Sequence, residues 1–77
     1  MNLKLYYMDY CPFCIKVLNF IKENNIDIEL KNINIKENHD ELLSIGKKDQ
    51  VPMLSIDGKP LYESDDIIDF LKENILN

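Results

Sequence analysis

Tyr10-Cys11-Pro12-Phe13-Cys14 is the stretch on which the reading of this chain turns. The apolar run Leu3-Lys4-Leu5-Tyr6-Tyr7 leads into it, and an amphipathic pattern begins just after it. Strand, Cys-x-x-Cys, helix is the context in which two cysteines form a thiol–disulfide redox centre. Pro12 suits the first helical position, where its missing N–H costs nothing and its fixed φ fits the helix. Cys11 then falls at the N-cap and Cys14 in the first turn. The Cys11 sulfur is placed to accept from the free N–H groups of Phe13 and Cys14. Three residues apart on a helix, the two side chains are neighbours and can close a disulfide.

The placement matters because the thiolate is the nucleophile, and a free cysteine is only a few per cent ionised at neutral pH. A helix N-terminus favours a nearby anion by about 0.3–1 kcal/mol, and by ~2 kcal/mol when partly buried. Cys11 is therefore expected to be the exposed attacking thiol and Cys14 the more buried resolving thiol. The competing readings are a structural disulfide and half of a zinc site. A disulfide closing so short a loop restrains an unfolded chain little. Zinc as a rule needs four ligands, and beyond the two cysteines the chain offers only the distant His39.

Seventy-seven residues are expected to form a single domain, 1–77, near the lower size limit for folding without staples. A hydrophobic content of 45% is enough for an efficient core. No stretch has the apolar length of a signal peptide or a membrane span, so neither export nor membrane association is expected. A Cys-x-x-Cys in such a chain points to a reducing cytoplasm, where disulfides are transient and catalytic. The net charge of −5 argues against a nucleic-acid partner.

Outward from the cysteines, residues 3–7 read as a buried strand, with Leu3, Leu5 and Tyr7 on one side and Lys4 and Tyr6 on the other. Cys14, Val17, Leu18 and Ile21 set a helical stripe from Pro12 to about Asn24. Ile26, Ile28 and Leu30 alternate with polar residues as a strand ending near Lys31-Asn32. Asn38 and Glu41 have the form of a capping box, Leu42, Leu43 and Ile45 follow, and Gly46 is a natural stop. His39 falls in the exposed first turn and is expected to have no role. Met53–Ile56 and Lys59–Tyr62 are strands joined by the Asp57-Gly58 turn. Ser64 is expected to cap the last helix, with Asp65 and Asp66 in its first turn. Ile67, Ile68, Leu71 and Ile75 would form its inner face, with Phe70 at the margin. The order βαβ-α-ββα predicts an α/β fold, a four-stranded mixed sheet with three helices on its two faces. The redox pair sits at the carboxyl end of the first strand.

With these residues in place, the sequence resembles a known family. Cys11-Pro12-Phe13-Cys14 after a first strand, Val51-Pro52 before a hairpin and Asp65-Asp66 at the last helix resemble a dithiol glutaredoxin on a thioredoxin fold. Gln50-Val51-Pro52-Met53-Leu54 through Glu63-Ser64 is similar to the N-terminal domain of glutathione transferases, whose helical second domain is not expected here. The resemblance implies a cis bond before Pro52. It implies a glutathione site in which Val51 pairs with the cysteinyl backbone and Ser64 and Asp65, with Glu63, take the γ-glutamyl end. Lys48 or Gln50 would meet the glycine carboxylate, and Phe13 would pack on the ligand. It implies glutathione as reducing co-substrate, disulfide-containing or glutathionylated proteins as partners, no metal, and a monomer. Met8 and Tyr62-Glu63 depart from the family, where many members carry Lys and Gly-Gly. Three alternatives stay open. One is a thioredoxin-like glutaredoxin reduced by a flavoprotein reductase, one a non-catalytic glutathione-binding module, and one a metal carrier, which Pro12 in place of the usual Gly disfavours.

Overall fold

A computed structural model describes residues 1–76; Asn77, the last residue of the expected domain, lies outside the described residues. Its strands and helices run β1 (Leu3–Tyr7), α1 (Pro12–Glu23), β2 (Glu29–Asn32), α2 (Lys36–Gly46), β3 (Met53–Ile56), β4 (Lys59–Tyr62) and α3 (Ser64–Leu71). After α3 the chain continues as π-helical winding over Lys72–Leu76. The strands form one sheet in the order β2-β1-β3-β4. β1 pairs parallel with β2 and antiparallel with β3, and β3 pairs antiparallel with β4. This is the four-stranded mixed sheet that the element order predicts, in the thioredoxin-like arrangement that the resemblance implied.

The sheet is covered on both faces, so alternation along β1 buries residues in both directions. Leu3 and Leu5 join Val17, Ile21, Leu54, Ile67 and Leu71 beneath α1 and α3. Tyr6 points the other way and packs with Leu42 and Met53 beneath α2. Its hydroxyl donates to Glu41 Oε1 at 2.8 Å, which satisfies a wholly buried phenol. Burial and the neighbouring Glu41 hold that phenol well above its ordinary pKa.

Five expectations need correction. The second strand begins at Glu29, so Ile26 and Ile28 reach the core from the approach to it rather than from the ladder. Leu30, on this edge strand, is 46% exposed. Helix α2 begins two residues before Asn38, with Ile35 in the cap position. The Asn38 amide turns back to donate to the Asn32 carbonyl at 3.0 Å. Gly46 is the last helical residue, and the left-handed stop is Lys47 at φ 62°. Gly46 is required for close approach instead, because a Cβ there would run into the Tyr62 hydroxyl. At the other end Ser64 is the first residue of α3 and Glu63 holds the cap position with no side-chain cap bond. Ile75 is 39% exposed, because the widened winding beyond Leu71 turns it off the inner face.

Candidate active site

Chain direction brings the cysteines to one end of the sheet. β1 ends at Tyr7, and Met8-Asp9-Tyr10 turns the chain, with Tyr10 in the left-handed region at φ 61°. Cys11 is extended (φ −104°, ψ 112°) and Pro12 opens α1, so the residue before the helix caps it. The Cys11 carbonyl accepts from Ile15 N–H at 2.8 Å. Its sulfur accepts from Cys14 N–H at 3.3 Å. Of the two amides the sequence offers, Cys14's makes this bond. The contact sets an N–H donor and the positive end of the helix dipole at that sulfur.

The two thiols are free and differ in surroundings: Cys11 is partly exposed and Cys14 is buried. Burial pushes the Cys14 thiol up to about 12, with the hydrogen bond to Cys11 adding to it and a backbone contact with Met8 opposing it. Cys14 therefore keeps its proton at neutral pH while Cys11 faces outward.

Beside the pair lies a groove of about 240 Å³ lined by Phe13, Gln50, Val51, Pro52, Glu63 and Ser64. The Val51-Pro52 bond is cis, as the resemblance implied. Thus the fold gathers Phe13, Gln50, Val51, Pro52, Glu63 and Ser64, six of the residues expected to contact glutathione, from three separate parts of the chain. The other two are drawn elsewhere. The Lys48 ammonium sits 4.2 Å from the centre of the Tyr62 ring. The Asp65 carboxylate is paired with Lys16. His39, expected to be idle, bonds Asp49 Oδ1 through Nε2 at 3.0 Å and ties α2 to the loop that carries Gln50.

Two residues near the site have settings that the sequence did not specify. Lys16 meets a carboxylate 49 positions away, which no local pattern signals. Tyr10, 96% exposed beside Cys11, carried no signal beyond its aromatic character. A larger cavity of about 420 Å³ lies at the opposite end of the sheet, lined by Met1, Asn2, Leu3, Asp27, Ile28, Glu29 and Ile75. It contains neither thiol nor imidazole.

Comparison with known proteins agrees with this architecture. The model for the glutathione S-transferase N-terminal domain matches residues 5–75. A glutaredoxin-like 8.6 kDa protein in the rubredoxin operon of Clostridium pasteurianum is 36% identical over 58 residues, 73% of this chain and 76% of that protein. The chloroplastic glutathione S-transferase DHAR3 of Arabidopsis thaliana is 33% identical over 63 residues, 82% of this chain and 24% of that protein. Human glutathione transferase theta-2, solved in complex with glutathione, superimposes with a TM-score of 0.84 at 26% identity, covering 99% of this chain and 32% of that one. The chain thus spans about a quarter to a third of these two transferases.

Proposed function

The chain belongs to the glutathione S-transferase N-terminal-domain family and is glutaredoxin-like, and from that premise we propose a glutathione-dependent thiol–disulfide oxidoreductase that reduces protein–glutathione mixed disulfides and protein disulfides. It would act as a single cytoplasmic domain and a monomer. The observation that carries this reading is the contrast between the thiols: Cys11 partly exposed over the first turn of α1, Cys14 buried against it.

In the first reaction the Cys11 thiolate attacks the glutathione sulfur of a protein mixed disulfide. A Cys11–glutathione bond forms, the protein–glutathione bond breaks, and the protein sulfur leaves as a thiolate that takes up a proton. The thiolate of a second glutathione attacks the bound glutathione sulfur, releasing oxidised glutathione and restoring the Cys11 thiolate. With a protein disulfide, the Cys11 thiolate attacks one sulfur, the protein S–S bond breaks, and the other protein sulfur leaves as a thiolate that takes up a proton. Cys14 then attacks the Cys11 sulfur, a Cys11–Cys14 disulfide forms, and the protein departs as a thiolate that takes the Cys14 proton. Two glutathiones in turn reduce that disulfide and leave as oxidised glutathione. Burial holds the Cys14 proton in place, and the Cys11 sulfur adds to the hold. Capture of Cys11 in a mixed disulfide removes the second contribution and leaves burial as the main hold on the Cys14 proton. Glutathione would lie in the groove, its cysteinyl part along Val51 and its γ-glutamyl end at the start of α3, where free N–H groups suit a carboxylate.

A second reading, reduction by a flavoprotein reductase, is favoured by the engagement of Lys48 with Tyr62 and of Asp65 with Lys16. One assay separates them: turnover of a glutathionylated peptide by wild type and Cys14→Ser, with glutathione or thioredoxin reductase as electron source. Glutathione-driven turnover retained in Cys14→Ser is expected. Turnover with the reductase alone would select the second reading.

A further inference from the structure

The groove accounts for only one half of a mixed disulfide. Its walls are Phe13, Gln50, Val51, Pro52, Glu63 and Ser64, and Tyr10 is not among them. Yet Tyr10 adjoins Cys11 in the chain, and its side chain is 96% exposed. An aromatic ring of this size left in water is an unusual use of a residue that normally covers apolar surface. The backbone there adopts φ 61°, a conformation uncommon for a bulky residue. Exposed apolar side chains continue on either side of it, with Met8 40% and Phe13 65% exposed. Met8, Tyr10 and Phe13 thus put three exposed apolar side chains within three positions of Cys11 in the chain, one of them, Phe13, in the groove wall.

The chemistry says what meets these side chains. When Cys11 attacks the sulfur of a group seated in the groove, the bond that breaks leads out of the groove to the second sulfur. In-line attack puts that second sulfur on the far side of the attacked sulfur from Cys11, so the chain that carries it spreads over the surface around the groove. A small thiol leaving group is too short to cover a tyrosine ring as well. A polypeptide with an apolar side chain next to its modified cysteine can do so.

We propose that Tyr10 is a specificity-determining residue that docks the polypeptide half of the disulfide, selecting substrates with an apolar or aromatic residue beside the target cysteine. This rests on the oxidoreductase reading above and names its substrate class. The ring acts through contact with the substrate, and its hydroxyl is not required.

The test compares two substrates under glutathione-driven turnover. One is a glutathionylated peptide with Leu or Phe flanking the modified cysteine, and the other is the mixed disulfide of glutathione with 2-mercaptoethanol. Tyr10→Ala is expected to lower the ratio of the two kcat/KM values by about fivefold, the size of a lost aromatic contact, through KM for the peptide. Tyr10→Asn, which removes the ring but tolerates a left-handed backbone, is expected to match it. Tyr10→Phe is expected to restore the wild-type ratio, and replacing the flanking Leu by Ser in the peptide is expected to abolish the difference between wild type and Tyr10→Ala. An unchanged ratio in Tyr10→Ala, with wild type active on both substrates, would overturn the docking role alone. So would a loss confined to Tyr10→Ala and absent from Tyr10→Asn, which would assign the effect to the loop. Wild type inactive on both substrates would overturn the oxidoreductase reading and this inference with it.

Discussion

Two helices begin at the same end of this molecule, and their first turns are built in opposite ways. At α1 the residue before the helix is extended and its own sulfur accepts an amide of the first turn. At α3 the residue before the helix, Glu63, is held at φ 71° and ψ 123°, and no side chain caps the turn. The α1 end is closed upon its own Cys11 sulfur, while the α3 end opens toward the groove with Ser64 in its wall. A helix start that binds its own side chain supports a nucleophile. One that leaves its amides free supports a ligand. Phe13 of the first turn of α1 and Ser64 of α3 both line the one groove.

Cys11→Ser should break the α1 end outright. Turnover of any disulfide is expected to fall at least about a hundredfold, because the partly exposed thiol is lost and the buried one remains. A glutathione-coupled rate assay checks it. Cys14 gives the next effect, through pH. Its folded-state value is raised from 9.0 to about 12, so the unfolded chain loses this proton first. The stability contributed by the protonated thiol is complete below pH 9 and is expected to be lost as pH rises toward 12. Urea unfolding of the reduced protein should show this decline, and Cys14→Ala should show less of it. Tyr6 and Tyr62, also raised by burial, decline alike in both proteins.

Glu63→Gly sharpens the contrast. The left-handed φ at this position burdens a residue with a Cβ, so glycine is expected to stabilise the fold by about 1 kcal/mol in urea unfolding. The KM for glutathione is expected to rise severalfold as the groove loses a carboxylate. The same change at Cys11 has no such strain to relieve, because φ there is −104°. The smallest effect is expected from Lys16→Ala. An exposed ion pair contributes at most about 1 kcal/mol, so stability should hardly move. Freed from Lys16, Asp65 is expected to lower the KM for glutathione about two- to threefold; a rise would show that Lys16 itself holds the ligand.

The α1 end was legible in the sequence because everything that makes it is local. Pro12, the Cys-x-x-Cys spacing and the preceding apolar run lie within twelve residues, and helix and cap fall where they predict. The β3–β4 hairpin was legible for the same reason. Asp57 and Gly58 take the positive φ values, 51° and 84°, that a two-residue turn demands. The α3 end was not, since the φ of Glu63 depends on how β4 hands the chain to the helix. Asn38 misled because its partner, the Asn32 carbonyl, belongs to the end of β2 rather than to its own helix. Lys48 and Asp65 were expected in the groove by motif alone, and their actual partners, Tyr62 and Lys16, are set by tertiary packing.

The central claim is that one thiol faces outward while its neighbour is held protonated behind it. Brief treatment of the reduced, folded protein with iodoacetamide at pH 7, followed by peptide mass mapping, tests it most directly. The expected result is a single adduct on Cys11 whose appearance parallels loss of turnover, with Cys14 modified only after unfolding in urea. Equal modification of both cysteines in the folded protein, or modification of Cys14 first, would contradict it.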